Sequence, residues 1–416
     1  MLVNLASLKT VIKDIIVRIY PIYHKLSVWR LRHKKIINVV LYASSISMWR
    51  YQHLYELLSK NPRFNVIIII HPAAAYSDTQ QRLDVETLVR YFNDRNIPYR
   101  LAINSKGEFV DIRKEFSPDI LFYPQPYTNF YSKEISYSNF YDKLLCYCPY
   151  AFWTSKDQWS YNQPLHKMAW KLFYSTELHR EDAIKYAYRK DRNVEIVGYP
   201  TSDDFLQTNH NFIWKEQLYT KKRLIWAVHF TIFSGGPLYQ SNFLWMADFM
   251  IDLAKKYSDK IQFVFKPHPR LYTELCKHPA WGEDKVNEYY RVWETMDNTQ
   301  IETGEFVDLF MTSDAMIHDC GSFSVEYHYS EKPVMYIARN FEEQLEEKNE
   351  FGKIAMNLHY VGKCKEDIVS FIENVVINGE DPKKSQRHKF KHEYLIPPNG
   401  KSVAENITAI LLEELC

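Results

Sequence analysis

"SDAMIHDCGSFSVEYHYSEKPVMYI" (residues 313–337) places a Gly-Ser turn and a helical segment between two short apolar runs. The runs at 314–318 and 333–337 have the composition of buried strands, and residues 321–330 have that of a helix. A strand, a helix and a second strand in this order predict one βαβ unit of a parallel sheet.

The same alternation extends outward from this unit in both directions. Strands are predicted at 223–230 and 260–269 in the second half, and at 35–44 and 65–73 in the first half. Continuous Ile and Val runs of this kind are typical of parallel sheets covered by helices on both faces. The sequence therefore predicts an α/β fold with two Rossmann-like domains, whose sheets face each other across a ligand cleft at the strand carboxyl ends.

The predicted division of the chain has four parts. An amphipathic helix occupies residues 1–34, and the first Rossmann-like domain occupies 35–206. Polar residues 207–222 form a linker, and the second Rossmann-like domain occupies 223–416. A chain of 416 residues is too long for a single small core, which agrees with two domains.

Composition excludes two classes of protein. The formal net charge is +1, so the chain is not a globally basic nucleic-acid-binding protein. Glycine is scarce at 11 residues, and only Gly107 precedes Gly198, which excludes a glycine-rich dinucleotide loop in the first half.

The cysteines and acids predict neither a metal nor a cofactor. The "CYC" of residues 146–148 has one intervening residue, which is too few for a zinc knuckle. The acids of "SDD" (202–204) fit a turn and a helix cap. No signal peptide precedes the cysteines, so we expect reduced thiols in a cytoplasmic protein.

The N-terminus is strongly basic. Residues 1–35 hold one acid, Asp14, and eight basic residues, which are Lys9, Lys13, Arg18, Lys25, Arg30, Arg32, Lys34 and Lys35. An apolar stripe at helical spacing comprises Leu5, Leu8, Ile12, Ile15, Ile16 and Ile19. Two interpretations fit: a helix that lies on an anionic membrane surface, or a helix packed on the first domain with a solvated basic side.

The Gly321–Ser322 turn precedes a helix, where free backbone N–H groups and the positive end of the helix dipole attract anions. Glu326 lies one helical turn after Ser322, and its carboxylate has the chemistry to accept both hydroxyls of a ribose. This spacing predicts a nucleotide site. The alternative is that Ser322 is a helix cap and Glu326 a solvated surface acid.

"FKPHP" (265–269) follows a predicted strand with two prolines that restrain its loop. Here His268 is able to donate to a phosphate, and Lys266 adds positive charge. A histidine with only a structural role at a strand end is the alternative interpretation.

These motifs carry a resemblance to a known family. "KPHP", its spacing to "SDAMIHDCGSFSVEY", and the following "KPVMYI" resemble the CDP-glycerol:poly(glycerophosphate) glycerophosphotransferases of teichoic-acid and capsule polymer synthesis. "GYPTSDDF" (198–205) is similar to that family's Gly-x-Pro-Arg-Asn-Asp segment, with Thr201 in place of the Arg. The resemblance spans roughly residues 140–340 and implies a GT-B fold and a cytidine-nucleotide donor.

The resemblance also implies roles for single residues. His268 falls on the family's active-site histidine, with Lys266 beside it. Asp319, Gly321 and Ser322 fall on its phosphate turn, and Glu326 falls on the acid one turn later. The family's Trp-His-Gly motif, which carries a second active-site histidine, is replaced by "CPYAFW" (148–153). We therefore expect His229 to be the general base, with His71 and His166 as weaker candidates.

The implied reaction transfers glycerol phosphate from CDP-glycerol, or from a related CDP-polyol, to a hydroxyl of a lipid-linked or saccharide acceptor and releases CMP. The first domain would then hold the acceptor and the second the nucleotide. The implied location is peripheral, on the anionic cytoplasmic face of the plasma membrane, with no nucleic-acid partner. Two alternatives remain open: a GT-B glycosyltransferase with a nucleotide-sugar donor, and a nucleotide-binding protein without catalysis.

Overall fold

The structure is a computed structural model that describes residues 5–233, 241–304, 306–338 and 340–416, with the side chains of residues 5–18 outside the description. The chain divides into two compact units. The first unit comprises Met1–Trp153, Asp157–Asp203 and Ile396–Cys416, and the second comprises Thr154–Lys156 and Asp204–Leu395.

The strands of the described residues all belong to two parallel sheets, one in each unit. In chain order they are β1 (Ile37–Ala43), β2 (Phe64–Ile70), β3 (Arg100–Leu101), β4 (Ile120–Tyr123), β5 (Leu144–Tyr147), β6 (Lys171–Tyr174), β7 (Val194–Ile196), β8 (Lys222–Val228), β9 (Ile261–Pro267), β10 (Thr299–Ile301), β11 (Ala315–His318), β12 (Val334–Ile337) and β13 (Tyr360–Gly362).

Helices connect the strands. In chain order the α-helices of the described residues are α1 (Leu5–Arg32), α2 (Gln52–Lys60), α3 (Asp78–Asp94), α4 (Ile112–Phe116), α5 (Gln158–Tyr161), α6 (Pro164–Met168), α7 (Glu177–Tyr186), α8 (Ser202–Phe205), α9 (Phe243–Lys256), α10 (Leu271–Lys277), α11 (Gly282–Thr295), α12 (Val307–Thr312), α13 (Phe323–Glu326), α14 (Phe341–Glu346), α15 (Glu350–Asn357), α16 (Lys365–Ser370), α17 (Lys384–Phe390) and α18 (Val403–Leu415).

The first unit is built around a sheet with the strand order β3-β2-β1-β4-β5-β6-β7. Its central strands are buried along almost their whole length because helices cover both faces, as the Ile- and Val-rich runs predict. The second half of α1 packs on this unit: Leu31 lies in the core and His24 Nε2 lies 3.1 Å from the Met168 carbonyl oxygen. The predicted helix at 1–34 is therefore present as α1, but most of its apolar stripe falls on side chains outside the description.

Ile396–Cys416, at the end of the chain, belong to the first unit. The sequence predicts instead that residues 223–416 all lie in the second domain. The Asp203 carboxylate accepts the N–H groups of Val403 and Ala404, at 2.7 and 2.9 Å, at the start of α18. Ile407 and Leu411 of α18 lie in the first unit's core. The predicted division follows chain order, which carries no information on which of two cores a C-terminal helix completes.

The predicted linker at 207–222 begins inside the second unit and packs there. Trp214 is buried, and its Nε1–H donates to Thr312 Oγ1 at 3.0 Å. The Asp308 carboxylate of α12 accepts the backbone N–H of Asn211 at 3.1 Å. This segment is therefore part of a folded unit, not a free connection.

The second unit has the strand order β10-β9-β8-β11-β12-β13, which is the Rossmann order 3-2-1-4-5-6. Its core holds Trp226 of β8 between Phe243 of α9 and Phe265 of β9, with ring centroids 6.0 and 5.0 Å away. The strand order reverses between β8 and β11, and ligands of such sheets bind beyond the strand carboxyl ends at that point. The topology thus selects the residues after β8, β9 and β11 as the candidate site.

One prediction concerns the close packing at Gly198. Its φ is +99°, and a Cβ at this position would lie 2.9 Å from Pro397 Cβ and from Val403 Cγ2. Gly107 in the same unit also has a positive φ, +81°, but no atom within 4 Å of a Cβ, so it is the matched control for backbone strain alone. We expect Gly198→Ala to lower the free energy of unfolding by about 1–3 kcal/mol more than Gly107→Ala, because overpacking adds to strain. Urea unfolding of both variants measures this, and equal losses would contradict it.

A candidate active site at the strand ends of the second unit

His229, His268 and Asp319 are the residues that directly follow β8, β9 or β11. The sheet register pairs Ala227 with His318 and Val228 with Pro267, so the three strands end at nearly the same level. The residues after them are therefore neighbours in space although they lie far apart in sequence. The structure brings together these three predicted site residues.

Asp319 joins the three elements around the reversal point. Its Oδ1 accepts the backbone N–H of His229 at 2.7 Å, and its Oδ2 accepts the backbone N–H of Asn242, at the start of α9, at 2.6 Å. Burial raises the pKa of the Asp319 carboxyl to about 7, although the N–H groups of Asn242 and His229 favour its ionised form. The predicted phosphate contact of Asp319 stays a prediction; in this structure its carboxylate holds backbone groups in place.

The imidazoles of His229 and His268 lie side by side, with ring centroids 5.5 Å apart. Burial, together with the positive charge of Arg270, lowers the pKa of His229 to about 4. Burial and the charges of His229, Arg270 and Lys266 lower that of His268 to about 3. Both rings are therefore neutral near pH 7.

Hydrogen bonds to backbone groups define the tautomer of each ring. The N–H of Arg270 donates to His268 Nδ1 at 3.1 Å, and the N–H of Thr231 donates to His229 Nδ1 at 3.4 Å. The Thr231 hydroxyl also lies 2.8 Å from His229 Nδ1. Since Nδ1 accepts in both rings, a neutral ring carries its proton on Nε2 and presents an N–H donor there.

Two cations accompany the histidines. Lys266 is buried, and its Nζ donates to the Gly304 carbonyl, after β10, at 2.9 Å. The guanidinium of Arg270 lies over the Phe230 ring, 4.2 Å from its centroid, and is about half exposed. Lys266 was predicted from the sequence. Arg270 was missed, although a basic residue that follows "KPHP" directly was a usable signal.

The helix predicted at 321–330 is split into α13 and a 3₁₀ helix at Tyr327–Ser330. The first hydrogen bond of this segment runs from the Ser324 N–H to the Gly321 carbonyl oxygen. The N–H groups before Ser324 therefore have no acceptor within the helix, as at the start of any helix. Ser322 makes no side-chain capping bond and is exposed, whereas Glu326 is buried, with 3% of its surface accessible. Glu326 is thus neither a solvated surface acid nor an open ribose acceptor in this structure.

Three buried histidines lie behind the turn. His359 Nδ1 faces the Ala355 carbonyl oxygen at 3.1 Å and so carries the proton, which leaves His359 Nε2 to accept from His318 Nε2–H at 3.1 Å. His318 Nδ1 then accepts the Cys320 N–H at 3.2 Å, with the Cys320 carbonyl oxygen also 3.1 Å away. The ring of His328 lies 4.8 Å from that of His359. This network fixes the residue directly before Gly321.

The weaker candidates His71 and His166 both belong to the first unit. His71 follows β2 and is fully buried, with Nδ1 3.0 Å from the Pro72 carbonyl oxygen. His166 is buried, and neither of its ring nitrogens has a hydrogen-bond partner among the described residues. Burial lowers the pKa of both, to about 4 and about 3.

Comparison with known sequences agrees with the strand-end motifs. Residues 153–412 match the family described as CDP-Glycerol:Poly(glycerophosphate) glycerophosphotransferase, which is more than half of the chain. The chain belongs to this glycerophosphotransferase family. The resemblance inferred from "KPHP" and the Gly-Ser turn is thereby confirmed, and His229, His268 and Asp319 all lie within the matched range. A comparison with curated proteins finds no significant match.

Solved structures show the fold of this glycerophosphotransferase-family chain. A putative UDP-N-acetylglucosamine 2-epimerase from Listeria monocytogenes has a TM-score of 0.60 at 16% identity, covering 92% of this chain and 98% of that one. An H548A variant of the wall teichoic acid polymerase TagF has a TM-score of 0.56 at 11% identity, covering 99% and 98%. The predicted GT-B-like class, with two Rossmann-like domains, is confirmed.

The buried histidines predict a pH dependence of stability. Burial lowers the pKa of His318 and of His328 to about 3, and burial with the neighbouring His328 and His318 rings holds that of His359 well below its usual value. The unfolded chain protonates such rings below about pH 6.5, so their contribution to stability is complete above that pH and is lost as pH falls toward about 3. Asp319 opposes this loss, because its raised pKa lets the folded state bind a proton between about pH 4 and 7.

We expect His359→Gln to make the acid-induced loss of stability shallower. Each ring that stays neutral on folding contributes about 1.4 kcal/mol per pH unit to the slope, and the glutamine removes one. Urea unfolding between pH 6 and 4.5 compares the two slopes. If the free energy of unfolding falls equally steeply with pH in the variant and in the wild type, His359 is not a buried neutral ring.

Proposed function

We propose that the protein transfers glycerol phosphate, or a related polyol phosphate, from CDP-glycerol to a hydroxyl of a lipid-linked or saccharide acceptor, releasing CMP. The product would be part of a teichoic-acid-type or capsule surface polymer. Family membership supports the reaction class. The single observation that carries the mechanism is the pair of neutral imidazoles, His229 and His268, at the ends of adjacent strands.

In phosphoryl-type transfer, negative charge develops on the nonbridging oxygens and on the leaving phosphate. His268 Nε2–H is a preorganised donor, because Arg270 N–H and strand β9 hold the ring in place. Lys266 and Arg270 add positive charge at the same strand end. Donors fixed before the reaction stabilise the transition state without further reorganisation, and such electrostatic stabilisation usually contributes more to catalysis than any other single effect.

A general base at His229 requires a proton shift within its ring. His229 has the position for this role, but Nδ1 faces Thr231, and a neutral ring with its proton on Nε2 has no lone pair to offer there. To accept a proton from the acceptor hydroxyl at Nε2, His229 has to carry its own proton on Nδ1, and this Nδ1–H then donates a hydrogen bond to the Thr231 hydroxyl oxygen. The Thr231 hydroxyl at 2.8 Å permits this shift because a hydroxyl both donates and accepts.

The nucleotide assignment depends on the Gly321–Ser322 turn and on Glu326. Backbone N–H groups at the turn suit the phosphates, and the buried histidines behind it support the turn's shape. Glu326 is buried, so contact with a ribose requires the donor to enter the structure at α13 or requires α13 to move. We keep Glu326 as the proposed ribose contact on the strength of its place in the family motif.

The alternative is a glycosyltransferase that uses a nucleotide-sugar donor. The GT-B-like fold serves both classes, and the structural neighbours include a UDP-GlcNAc 2-epimerase from Neisseria meningitidis bound to UDP-GlcNAc. The products separate the two functions: CMP from CDP-glycerol identifies the transfer proposed above, and a nucleoside diphosphate from a nucleotide sugar identifies the alternative. A protein without catalysis would bind CDP and release neither.

His268→Ala tests the mechanism. A donor that acts mainly in the transition state should affect kcat far more than donor affinity. We expect the variant to bind CDP nearly normally and to lose about 10²- to 10³-fold in single-turnover CMP release. His268→Asn, which keeps an N–H donor, should fall between the alanine variant and the wild type.

His278→Ala is the matched control for His268→Ala. His278 Nδ1 also accepts the N–H of the residue two positions later, Ala280, at 3.3 Å, but it follows helix α10, not a strand. We expect CMP release of this variant at the wild-type rate. A folded His268→Ala protein that turns over as fast as His278→Ala would remove His268 from the reaction.

We also propose that α1 attaches the protein to the cytoplasmic face of the plasma membrane. Its described part exposes an apolar strip of helical spacing that comprises Ile19, Ile22, Tyr23, Leu26 and Trp29. At 100° per residue, Lys25 falls beside the Trp29 edge of this strip, where its ammonium group can meet anionic headgroups. Arg30 falls within the strip, with its guanidinium 4.0 Å from the Asp119 carboxylate, and Arg32 donates to the Glu414 carbonyl oxygen. The described helices include none long and apolar enough to cross a membrane. The attachment we propose is of an amphipathic helix to the membrane surface.

A point substitution tests the membrane proposal better than truncation, because removing residues 1–34 would also take Leu31 out of the core. Trp29 is 66% exposed, and Trp159 of the same unit is 64% exposed but lies on α5. We expect Trp29→Glu to reduce cosedimentation with phosphatidylglycerol vesicles and Trp159→Glu to leave it unchanged. High salt should weaken the wild-type attachment as well. Equal binding by the two variants would mean that α1 has a structural role only.

A further inference from the structure

Outside the strand-end site, Glu331, His388 and His392 of the second unit form a cluster of possible metal ligands. Their nearest ligand atoms all lie within 4.8 Å of one another. No sequence motif predicts a metal here, because Glu331 lies 57 residues before His388 and the short-range spacing that marks zinc knuckles is absent. We refer to these three residues as the Glu331 cluster.

The two histidines share one helical face. His388 lies on α17 and His392 in the π-helical turn Lys391–Leu395 that continues it, so they are four positions apart, and their ring centroids lie 4.4 Å apart. Two histidines at this spacing on a helix are a known arrangement for binding one zinc ion. Both side chains are exposed, so an ion reaches them from solvent.

Glu331 is held against this helical face by its backbone as well as by its side chain. Its φ is +60°, a left-handed conformation that favours Gly or Asn and costs a Glu about 1 kcal/mol or more. The fully buried Arg387, ion-paired with Asp381, donates from Nε to the Glu331 carbonyl oxygen at 3.1 Å. The third ligand is therefore positioned before any ion binds.

The charge state of Glu331 suits ligation. Its two oxygens face the ammonium group of Lys391 and the imidazole of His388, and these partners favour an ionised carboxylate. His388 Nδ1 lies 2.6 Å from one carboxylate oxygen, and Lys391 Nζ lies 2.9 Å from the other. One oxygen is thus paired with a lysine, and the other faces an imidazole.

We propose that Glu331, His388 and His392 bind a Zn²⁺ ion, with water as the fourth ligand. Two imidazole nitrogens and one carboxylate oxygen are one of the ligand sets of three-ligand zinc sites, and they do not suit Mg²⁺ or Ca²⁺, which prefer all-oxygen shells. A tetrahedral site with bonds of about 2.0–2.1 Å separates its ligand atoms by about 3.3 Å. To admit the ion, the distance between His388 Nδ1 and the Glu331 carboxylate oxygen, now 2.6 Å, would have to increase by less than about 1 Å.

The ion would link two segments that are distant in sequence. Glu331 ends the 3₁₀ helix that continues from α13, and the histidines lie on the α17 segment. Zinc binding would therefore fix the far end of the helix that starts at the Gly321–Ser322 turn. No member of the cluster follows β8, β9 or β11. A result for or against zinc binding therefore does not test the proposed transfer reaction.

Lys391 makes the proposal specific. Its ammonium group neutralises part of the Glu331 charge and repels a divalent ion. If Glu331 ligates the ion, Lys391→Gln removes a competing cation and should strengthen zinc binding. If Glu331 only forms ion pairs with Lys391 and His388, the substitution should leave zinc affinity unchanged.

The test is calorimetric titration of the full chain with Zn²⁺ after treatment with EDTA, with folding checked by circular dichroism. We expect one zinc ion per chain, at least ten-fold weaker binding in His388→Ala, His392→Ala and Glu331→Gln, and tighter binding in Lys391→Gln.

Two control variants account for adventitious binding. His33→Ala removes an exposed histidine in the turn that follows α1, and Cys364→Ser removes an exposed thiol; both should bind zinc as the wild type does. Absence of zinc binding by the wild type, or binding that is unchanged in the folded His388→Ala/His392→Ala double variant, would overturn the proposal.

Discussion

The carboxylate of Asp319 holds the end of β8, the start of α9 and its own strand end in one place. It accepts backbone N–H groups from His229 and Asn242, and these two bonds cross the point where the strand order of the sheet reverses. A parallel sheet leaves this point open, because the helices after β8 and β11 cover opposite faces. The position of His229 relative to the Gly321–Ser322 turn depends on this one buried acid.

A repeated backbone contact determines the chemistry of the histidines. His229, His268 and His318 each end or follow a strand, and in each the N–H two residues later donates to Nδ1. A neutral ring held in this way presents Nε2–H on its other side. His318 Nε2–H donates a hydrogen bond to His359 and so supports the turn, whereas the proposed function assigns the Nε2–H groups of His229 and His268 to the donor substrate. The same local geometry therefore serves a structural histidine, His318, and the two histidines of the proposed site, and the partner of Nε2 on the opposite ring edge distinguishes them.

Much of the fold followed from local patterns. The alternation of apolar runs with helices predicted β8, β9, β11 and β12 to within a few residues, because strands buried on both faces have to be apolar throughout. The assignment of α18 to the first unit did not follow, since it depends on Asp203, which lies 200 residues before Val403. Nor did the burial of Glu326 follow: spacing of four residues places it on the same face as Ser322 but does not say how deep that face lies.

The sequence named the residues of the candidate site but did not predict their charge states. The sequence predicted His268 as a donor to phosphate and His229 as a general base without fixing their charge; burial leaves both rings neutral near pH 7 and raises the pKa of the Asp319 carboxyl. The net charge at the strand ends therefore comes from Lys266 and Arg270. A bound phosphate would favour the protonated form of both imidazoles, so anion binding and proton uptake are coupled. Such a site has little charge repulsion when it is free, and it becomes more positive only as negative charge arrives.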